Sequence, residues 1–213
     1  MNFDEFLELI PKIKNLSLPG RESQYKMASA SRRILMEAEL NAATPRKAGV
    51  MALFYPDRNN TANIVLLMRK DYQGVHANQV GFPGGKMEEE DRDIEATAIR
   101  ETVEETGVPA ESIQVIRSLT SLYVPPSNFM VYPFMGILSA PPFFYPQPEE
   151  VAELVEVPLA DMLDDSIVLK KDFITSYGSN KNVPYFRFRG YDVWGATAAM
   201  LSEVKDLVIT AME

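Results

Sequence analysis

The sequence predicts an α/β fold, in which strands from the middle of the chain form one mixed sheet and helices cover it. Two apolar stretches, KAGVMALFYP from Lys47 and ANIVLLMRK from Ala62, flank the turn-rich segment DRNNT and are typical of neighbouring strands. Apolar residues recur at helical spacing near both ends of the chain. With 213 residues, of which 46% are hydrophobic and 24% charged, the chain suits a single domain over residues 1–213, with residues 1–45 as a helical amino-terminal extension.

The extension is predicted to contain two helices. Apolar residues between Phe3 and Ile10 follow a helical period, and Pro11 is expected to end this first helix. Residues 17–22 (SLPGRE) are interpreted as a loop, and the segment from Ser23 to Leu40 as the second helix.

Beyond the two strands, helical and strand-like segments alternate. Asp93 to Thr106 is predicted to be a helix that ends at Gly107, a residue that favours a left-handed cap. A hairpin is expected around residues 125–128, followed by the extended connector APPFFYPQP. The segments EEVAELVEVPL and VPYFRFRGYDVW predict further strands, the first followed by a short helix near 160–163. Apolar residues between Thr197 and Val208 indicate a closing helix.

Composition excludes several classes of function. The net charge of −9 argues against a nucleic-acid partner. No apolar run is long enough to span a bilayer, and Asp4, Glu5 and Glu8 argue against a secretory signal, so the cytoplasm is the expected location. The absence of cysteine excludes a thiolate nucleophile and a cysteine zinc site, and the single histidine, His76, excludes a pair of histidine ligands.

The acidity of the chain is concentrated in one stretch. Residues 88–105 hold nine acidic residues and two arginines, whereas residues 1–50 are slightly basic, with eight lysines and arginines against six acids. Like charges one helical turn apart repel, so such a stretch is destabilising unless a cation lies among them. The local acidity therefore indicates a metal.

The predicted acidic helix places three carboxylates on one side. Glu101, Glu104 and Glu105 follow the spacing i, i+3 and i+4, and Arg100 lies four residues before Glu104, where it can orient that carboxylate. Apolar residues on the opposite face, Ala96, Ile99 and Val103, are expected to pack on the sheet. Oxygen ligands of this kind suit Mg²⁺ or Mn²⁺. The alternative is a solvated acidic face, which requires no fixed order of glycines, arginine and glutamates.

This stretch resembles the Nudix box, Gly-x5-Glu-x7-Arg-Glu-U-x-Glu-Glu-x-Gly-U, where U is apolar. The matching residues are Gly85, Arg100, Glu101, Val103, Glu104, Glu105, Gly107 and Val108. The chain departs from the pattern in the middle, where Asp91 occupies the first acidic position and eight residues separate it from Arg100. With the preceding Phe-Pro-Gly-Gly, this spacing is similar to the Nudix branch that includes coenzyme A pyrophosphatases.

The resemblance implies an α/β/α sandwich with a mixed sheet and hydrolysis of a nucleoside diphosphate derivative with Mg²⁺ or Mn²⁺. By position, Glu101 and Glu105 would be metal ligands, Glu104 a further ligand or the catalytic base, and the Gly85 carbonyl part of the metal shell. Arg100 would serve catalysis by orienting these carboxylates. A metal-activated water would attack the diphosphate directly, because the chain has no cysteine nucleophile.

The coenzyme A branch also carries a motif before the glycine pair, and this sequence retains part of it. By this resemblance Arg69, Lys70, His76, Phe82 and Gly84 are candidates for substrate binding. Gly74 and Asn78 stand where the branch has an arginine and a glycine. His76 could instead satisfy a polar loop. The 3′-phosphate of coenzyme A requires a positive group, for which the candidates are Arg32, Arg33, Arg46, Lys47, Arg69 and Lys70.

Three hypotheses of function stay open at this point. The chain hydrolyses coenzyme A or a related species to 3′,5′-ADP and 4′-phosphopantetheine, or acts on ADP-ribose or a dinucleotide, or senses a nucleotide without catalysis. A general base is expected at Glu150, with Glu149 and Glu153 as competitors. The expected partner is a small-molecule nucleotide, with no nucleic acid and no membrane, and a homodimer is compatible with the sequence.

Overall fold

The computed structural model describes residues 1–28, 44–70, 79–175 and 178–213. Five helices lie in these ranges: α1 (Phe3–Asn15), α2 (Gly20–Lys26), α3 (Ile94–Thr106), α4 (Leu159–Leu163) and α5 (Gly195–Met212). The strands there are β1 (Arg46–Pro56), β2 (Ala62–Arg69), β3 (Val80–Gly81), β4 (Gly84–Lys86), β5 (Gln114–Ser118), β6 (Leu122–Val124), β7 (Phe129–Ile137), β8 (Val151–Pro158), β9 (Val168–Thr175), β10 (Gly178–Phe188) and β11 (Tyr191–Val193). No helix in the described ranges has both the length and the apolar character needed to cross a membrane.

The main sheet is mixed, as predicted. Its order is β3-β2-β1-β7-β5, with β4 beside β1, β6 beside β7 and β8 beside β2. β1 and β7 are parallel, whereas the other pairs in this sheet are antiparallel. A second sheet has the order β11-β10-β9.

Helices cover both faces of the main sheet, as in an α/β/α sandwich. Alternate residues of β1 point to opposite sides, so Leu53 shares a core cluster with Ala98 of α3, whereas Phe54 packs against Phe6 of α1 in the cluster that also contains residues of α5. The ring centroids of Phe6 and Phe54 are 4.8 Å apart. The long closing helix α5 is predicted correctly, as are β1, β2, β8, α4 and the pairing of β5 and β6 with β7.

The first helix does not end at Pro11 but continues to Asn15. Ile13, on the same apolar face as Phe6, is fully buried, and this burial favours the extra turn despite the missing proline N–H. Arg117 then donates hydrogen bonds to the carbonyl oxygens of Ile13 (2.5 Å) and Leu16 (2.8 Å), which satisfies the exposed end of the helix.

Two further predictions about chain segments need correction. The segment 17–22 is not wholly a loop, because α2 begins at Gly20, and the described part of the helix predicted from Ser23 ends at Lys26. The rest of that predicted helix, with Arg32 and Arg33, lies largely outside the described residues. Strand β9 was missed, because its exposed, lysine-containing sequence lacks the apolar alternation of a half-buried strand.

Candidate active site

Helix α3 carries the acidic residues, and its orientation follows from its amino-terminal cap and its contact with β1. The Asp93 side chain accepts a hydrogen bond from the N–H of Ala96, and Gly107 ends the helix in the left-handed conformation that was predicted. Gly49 of β1 lets the helix approach closely, since a Cβ there would lie 2.5 Å from the carbonyl oxygen of Ile94. This contact fixes helix α3, which carries the acidic residues, against β1 in the main sheet.

The buried face of α3 agrees with the prediction only in part. Ile99 and Val103 pack against the core cluster that contains Met51 and Leu53 of β1, as predicted, but they and Ala96 are only partly buried. The buried residues are Thr97, Ala98, Thr102, Glu105 and Thr106. The threonine hydroxyls make this face possible, because those of Thr102 and Thr106 donate to carbonyl oxygens four residues earlier, at 2.6 Å and 2.5 Å.

Glu105 is a buried carboxylate with two fixed partners. Its side chain is 1% exposed, its Oε2 accepts the N–H of Gly84 at 2.7 Å, and its Oε1 lies 3.3 Å from Nη2 of Arg69. Burial raises the pKa of Glu105 to about 7, against the opposing effects of Arg69 and the Gly84 N–H. The favourable interaction with Arg69 therefore does not fully compensate for the free-energy cost of removing this carboxylate from water.

Glu101 lies against the backbone of the glycine pair. A Cβ on Gly85 would be 2.4 Å from Cδ of Glu101, so only glycine admits the carboxylate at this place. Burial also raises the pKa of Glu101, although Arg100 opposes this effect. Glu101 is close enough to Glu105 to contribute to the raised pKa of that residue.

Arg100 joins the acidic loop to the helix. Its guanidinium forms a bidentate pair with Asp91, with Nε–Oδ1 and Nη2–Oδ2 distances of 2.9 Å and 3.0 Å. Its Nη1 lies 3.0 Å from Glu101 and 3.1 Å from Glu104, which confirms the predicted contact with Glu104. The hydrogen bonds from Arg100 hold the pKa of Asp91 well below its usual range. Asp91 therefore fixes the position of the Arg100 guanidinium.

The three glutamates do not meet at one point. The Glu104 side chain is 48% exposed and turns towards Arg100, whereas Glu105 is buried. In the four described ranges no group of three acidic or histidine side chains has a geometry that could hold a metal ion by itself. The prediction that three carboxylates converge is thus not met.

A divalent cation nevertheless fits the buried Glu105 and the partly buried Glu101. Mg²⁺ is commonly held by one or two carboxylates, together with water and substrate phosphates. Glu101 and Glu105 provide two desolvated carboxylates. Because Gly85 has no Cβ, the Glu101 carboxylate can lie directly against it. The chemistry of these donors therefore suits Mg²⁺ or Mn²⁺.

Glu150 is brought to the same end of the sheet. It precedes β8, and its carbonyl oxygen accepts the N–H of Lys70 at 3.0 Å, next to Arg69. Its carboxylate is near enough to Glu105 to raise the pKa of that residue. The competing Glu153 accepts a hydrogen bond from the hydroxyl of Tyr191. This geometry favours Glu150 over Glu153 as the candidate base.

A cleft of about 490 Å³ opens beside the glycine pair. Its walls come from β4, β1, β7, α2 and the start of α5, and are mainly apolar. The residues that line the cleft include Gln24, Arg69, Phe82, Gly84, Gly85, Ser127, Phe129 and Trp194.

The candidates for substrate binding fall into three groups. Arg69, Phe82 and Gly84 line the cleft, although Arg69 also contacts Glu105 and donates to the carbonyl oxygen of Gly84 at 2.6 Å. Lys70 is exposed and is not among the lining residues. His76 lies outside the described residues. Gln24 and Trp194 were missed, because nothing local in the sequence links either residue to the glycine pair.

The arrangement is that of an α/β protein with an acidic, metal-compatible site beside an apolar cleft, and the comparisons with known proteins agree. The NUDIX domain family matches residues 45–176. The chain is similar to proteins named uncharacterized Nudix hydrolase NudL from Yersinia pestis and Yersinia pseudotuberculosis. Each is 33% identical over 175 residues, which cover 82% of this chain and 86% of the relative. This protein therefore belongs to the Nudix hydrolase family.

Solved structures show the same fold. The Nudix hydrolase RenU of M. smegmatis superposes with a TM-score of 0.52 at 17% identity, covering 78% of this chain and 87% of that chain. A MutT/nudix family protein of Enterococcus faecalis gives a TM-score of 0.52 at 16% identity, and the match covers 92% of this chain and 76% of that chain.

Proposed function

We propose that this Nudix hydrolase uses Mg²⁺ or Mn²⁺ to hydrolyse the diphosphate bond of coenzyme A or a related coenzyme A species. The products would be 3′,5′-ADP and 4′-phosphopantetheine. The observation that carries the proposal is the pair of desolvated carboxylates, Glu101 and Glu105, against Gly84 and Gly85 at the edge of the cleft. We further propose that the protein acts in the cytoplasm on this small-molecule nucleotide, without a nucleic-acid or membrane partner.

Each residue of the site has its own role in the proposed reaction. Glu101 and Glu105 would hold the cation, with the Gly85 carbonyl beside them. When bound, the cation supplies positive charge to the doubly anionic diphosphate and acidifies a water molecule. Arg100 orients Glu101 and Glu104, and it is fixed in turn by Asp91. Glu150 or Glu104 would accept the proton of the attacking water.

In this reaction the water oxygen forms a bond to one phosphorus, and the bond from that phosphorus to the bridging oxygen breaks. The bridging oxygen leaves on the other phosphate, and the base receives a proton. No side-chain nucleophile is needed, which agrees with a chain that lacks cysteine. Hydrolysis in ¹⁸O-water should therefore place one label on a single product, whereas a phosphoryl-enzyme trapped by acid would contradict direct attack.

The choice of coenzyme A rests on the character of the cleft. Its walls beside the glycine pair are mainly apolar, which suits the long uncharged pantetheine arm better than the hydroxyl-rich second ribose of ADP-ribose. The test is hydrolysis of coenzyme A, dephospho-coenzyme A, ADP-ribose and a dinucleotide with Mg²⁺ and Mn²⁺, with each product identified. A higher kcat/KM for ADP-ribose would overturn the choice, and the absence of any hydrolysis would favour a nucleotide sensor.

Substitution of the carboxylates tests the metal site itself. Glu101→Gln and Glu105→Gln should each lower kcat/KM roughly a hundredfold or more, since a bound cation contributes several kcal/mol to the transition state. Glu95→Gln is the matched control, because it makes the same change in α3 away from the glycine pair. Near-normal turnover of either site variant at saturating Mg²⁺ would disprove the metal-site assignment.

A further inference from the structure

Trp194 lies between strand β11 and helix α5, where it lines the cleft and is only partly buried. It follows the matched NUDIX region, which ends at residue 176. Arg69, Gly84 and Gly85, which lie at the glutamate site, line the same cleft. A substrate whose diphosphate is bound at the glutamates can therefore extend along the cleft to Trp194.

The indole of Trp194 is held in place by the second sheet. It stacks on the ring of Phe173 in β9, with ring centroids 4.5 Å apart and planes inclined by 22°. The Phe173 ring meets that of Tyr185 in β10 edge-on, at 5.7 Å and 84°. Among the described residues, neither Phe173 nor Tyr185 lines the cleft. Because Phe173 covers one face of the indole, contact with a molecule in the cleft is left to the other face and to the ring edge.

A fixed, partly exposed indole in a mainly apolar cleft suits a flat aromatic ligand. Aromatic rings pack against one another in stacked or edge-to-face arrangements, and the bases of nucleotides bind to aromatic side chains in this way. The stacking on Phe173 orients the indole before a ligand arrives, which lowers the entropic cost of binding. In a nucleoside diphosphate derivative the base is flat and aromatic, whereas the sugar, the phosphates and a pantetheine arm are not.

We propose that Trp194 is a specificity-determining residue, whose indole packs against the base of the substrate. This inference rests on the proposed function, because the substrate is taken to be a nucleoside diphosphate derivative bound in the cleft. For coenzyme A the base is adenine. The adenosine 3′,5′-bisphosphate half then lies against Trp194, and the 4′-phosphopantetheine half extends away from it.

The fluorescence of the protein reports on this contact, because Trp194 is the only tryptophan in the chain. The two product halves, adenosine 3′,5′-bisphosphate and 4′-phosphopantetheine, are titrated separately into the unmodified protein with Mg²⁺. Adenosine 3′,5′-bisphosphate should change the emission until it saturates and should protect Trp194 from quenching by acrylamide. The other half should do neither. Neither half contains the bond that is hydrolysed, so the measurement is independent of catalysis.

Substitution of the indole measures its contribution to binding. Trp194→Leu should bind adenosine 3′,5′-bisphosphate roughly five- to a hundredfold more weakly in calorimetry, as expected for the loss of one stacking contact with a base. Its affinity for 4′-phosphopantetheine should be unchanged. Trp194→Phe keeps an aromatic ring, so it should lose less affinity, and it serves if the leucine variant does not fold. Tyr145→Leu is the matched control, since Tyr145 is an exposed aromatic residue that is not among the lining residues.

Three results would overturn the proposal: no change in emission with adenosine 3′,5′-bisphosphate, unchanged affinity in Trp194→Leu, or an equal loss of affinity for both halves. The proposed function fails in a different way. If adenosine 3′,5′-bisphosphate binds at Trp194 but coenzyme A is not hydrolysed, the contact stands and the reaction is wrong. If coenzyme A is hydrolysed while the emission stays unchanged, the reaction stands and the contact is wrong.

Discussion

Burial opposes the negative charge of Glu105, and this gives the metal-free protein a pH-dependent stability. Its pKa is raised from 4.5 to about 7 in the folded chain. The folded protein therefore binds this proton more tightly than the unfolded chain. The resulting stability is fully present below about pH 4.5 and is lost as the pH rises through about 7.

With a chelator present, the free energy of unfolding should fall by roughly 3 kcal/mol between pH 4.5 and pH 8 because of Glu105 alone. Urea denaturation at several pH values measures this change. Glu105→Gln should remove most of the decline, and Mg²⁺ should restore the stability of the unmodified protein at pH 8. The same decline in Glu105→Gln would show that another group causes it.

We propose Arg46 as the cation that binds the 3′-phosphate of coenzyme A. Its guanidinium carbon lies 4.1 Å from the ring centroid of Phe129, and its Nη2 donates to the carbonyl oxygen of Ser127. Both Phe129 and Ser127 line the cleft, and the Arg46 side chain is exposed at its edge.

Arg46→Met should lower kcat/KM for coenzyme A roughly ten- to a hundredfold more than for dephospho-coenzyme A, which lacks the 3′-phosphate. Arg58→Met is a suitable control, because Arg58 also lies over a phenylalanine ring, that of Phe143, and Phe143 is not a lining residue. Equal losses for the two substrates would place the 3′-phosphate elsewhere.

At the scale of the elements, the contact between α3 and β1 sets the position of the site. Gly49→Ala would bring a Cβ within 2.5 Å of the Ile94 carbonyl oxygen and 2.9 Å of the Ala98 nitrogen, both backbone atoms. The helix must then move away from the sheet, at a cost of about 1–3 kcal/mol. We expect lower kcat/KM together with a lower Tm. Gly136→Ala is the control, because its Cβ would meet the flexible Met51 thioether instead of backbone atoms. If both substitutions lowered kcat/KM and Tm equally, the close approach of α3 to Gly49 would not be the cause.

The elements with strong local signals could be predicted from the sequence. The apolar strands β1 and β2, and the helix α3 between Asp93 and Gly107, follow from periodicity and capping. The continuation of α1 past Pro11 could not be predicted, because it depends on the burial of Ile13 and on Arg117, more than 100 residues later.

The roles of the candidate site residues stay a prediction, and the geometry among them followed only in part from the sequence. The spacing of Arg100 and Glu104 correctly gave their contact, because one helical turn separates them. The divergence of Glu104 from Glu105 depends on which side of α3 meets the sheet, and the buried residues on that side are mainly threonines, together with Ala98. Gln24 could not be found, since its partner Glu203 is 179 residues away.

For the whole molecule, we propose that residues 1–213 unfold as one domain, with the extension as part of its core. Phe6→Ala should destabilise the entire chain by about 3–5 kcal/mol, since Phe6 is fully buried against Phe54. Calorimetry should show one transition at a lower Tm, while Glu8→Ala on the exposed side of α1 should leave Tm nearly unchanged. Two separate transitions, with only one moved by Phe6→Ala, would contradict a single domain.

The parallel pair at the centre of the sheet has a consequence for synthesis on the ribosome. β1 begins its pairing with β7 at Arg46 and Phe129, so the partner strand is made 83 residues later. Until then the nascent chain holds the apolar residues of β1 and the acidic helix without the parallel strand that pairs with β1. Closing so long a loop slows folding. The carboxylates reach their final places only after β7 has left the exit tunnel, so a stalled chain lacking β7 should be inactive and prone to aggregate.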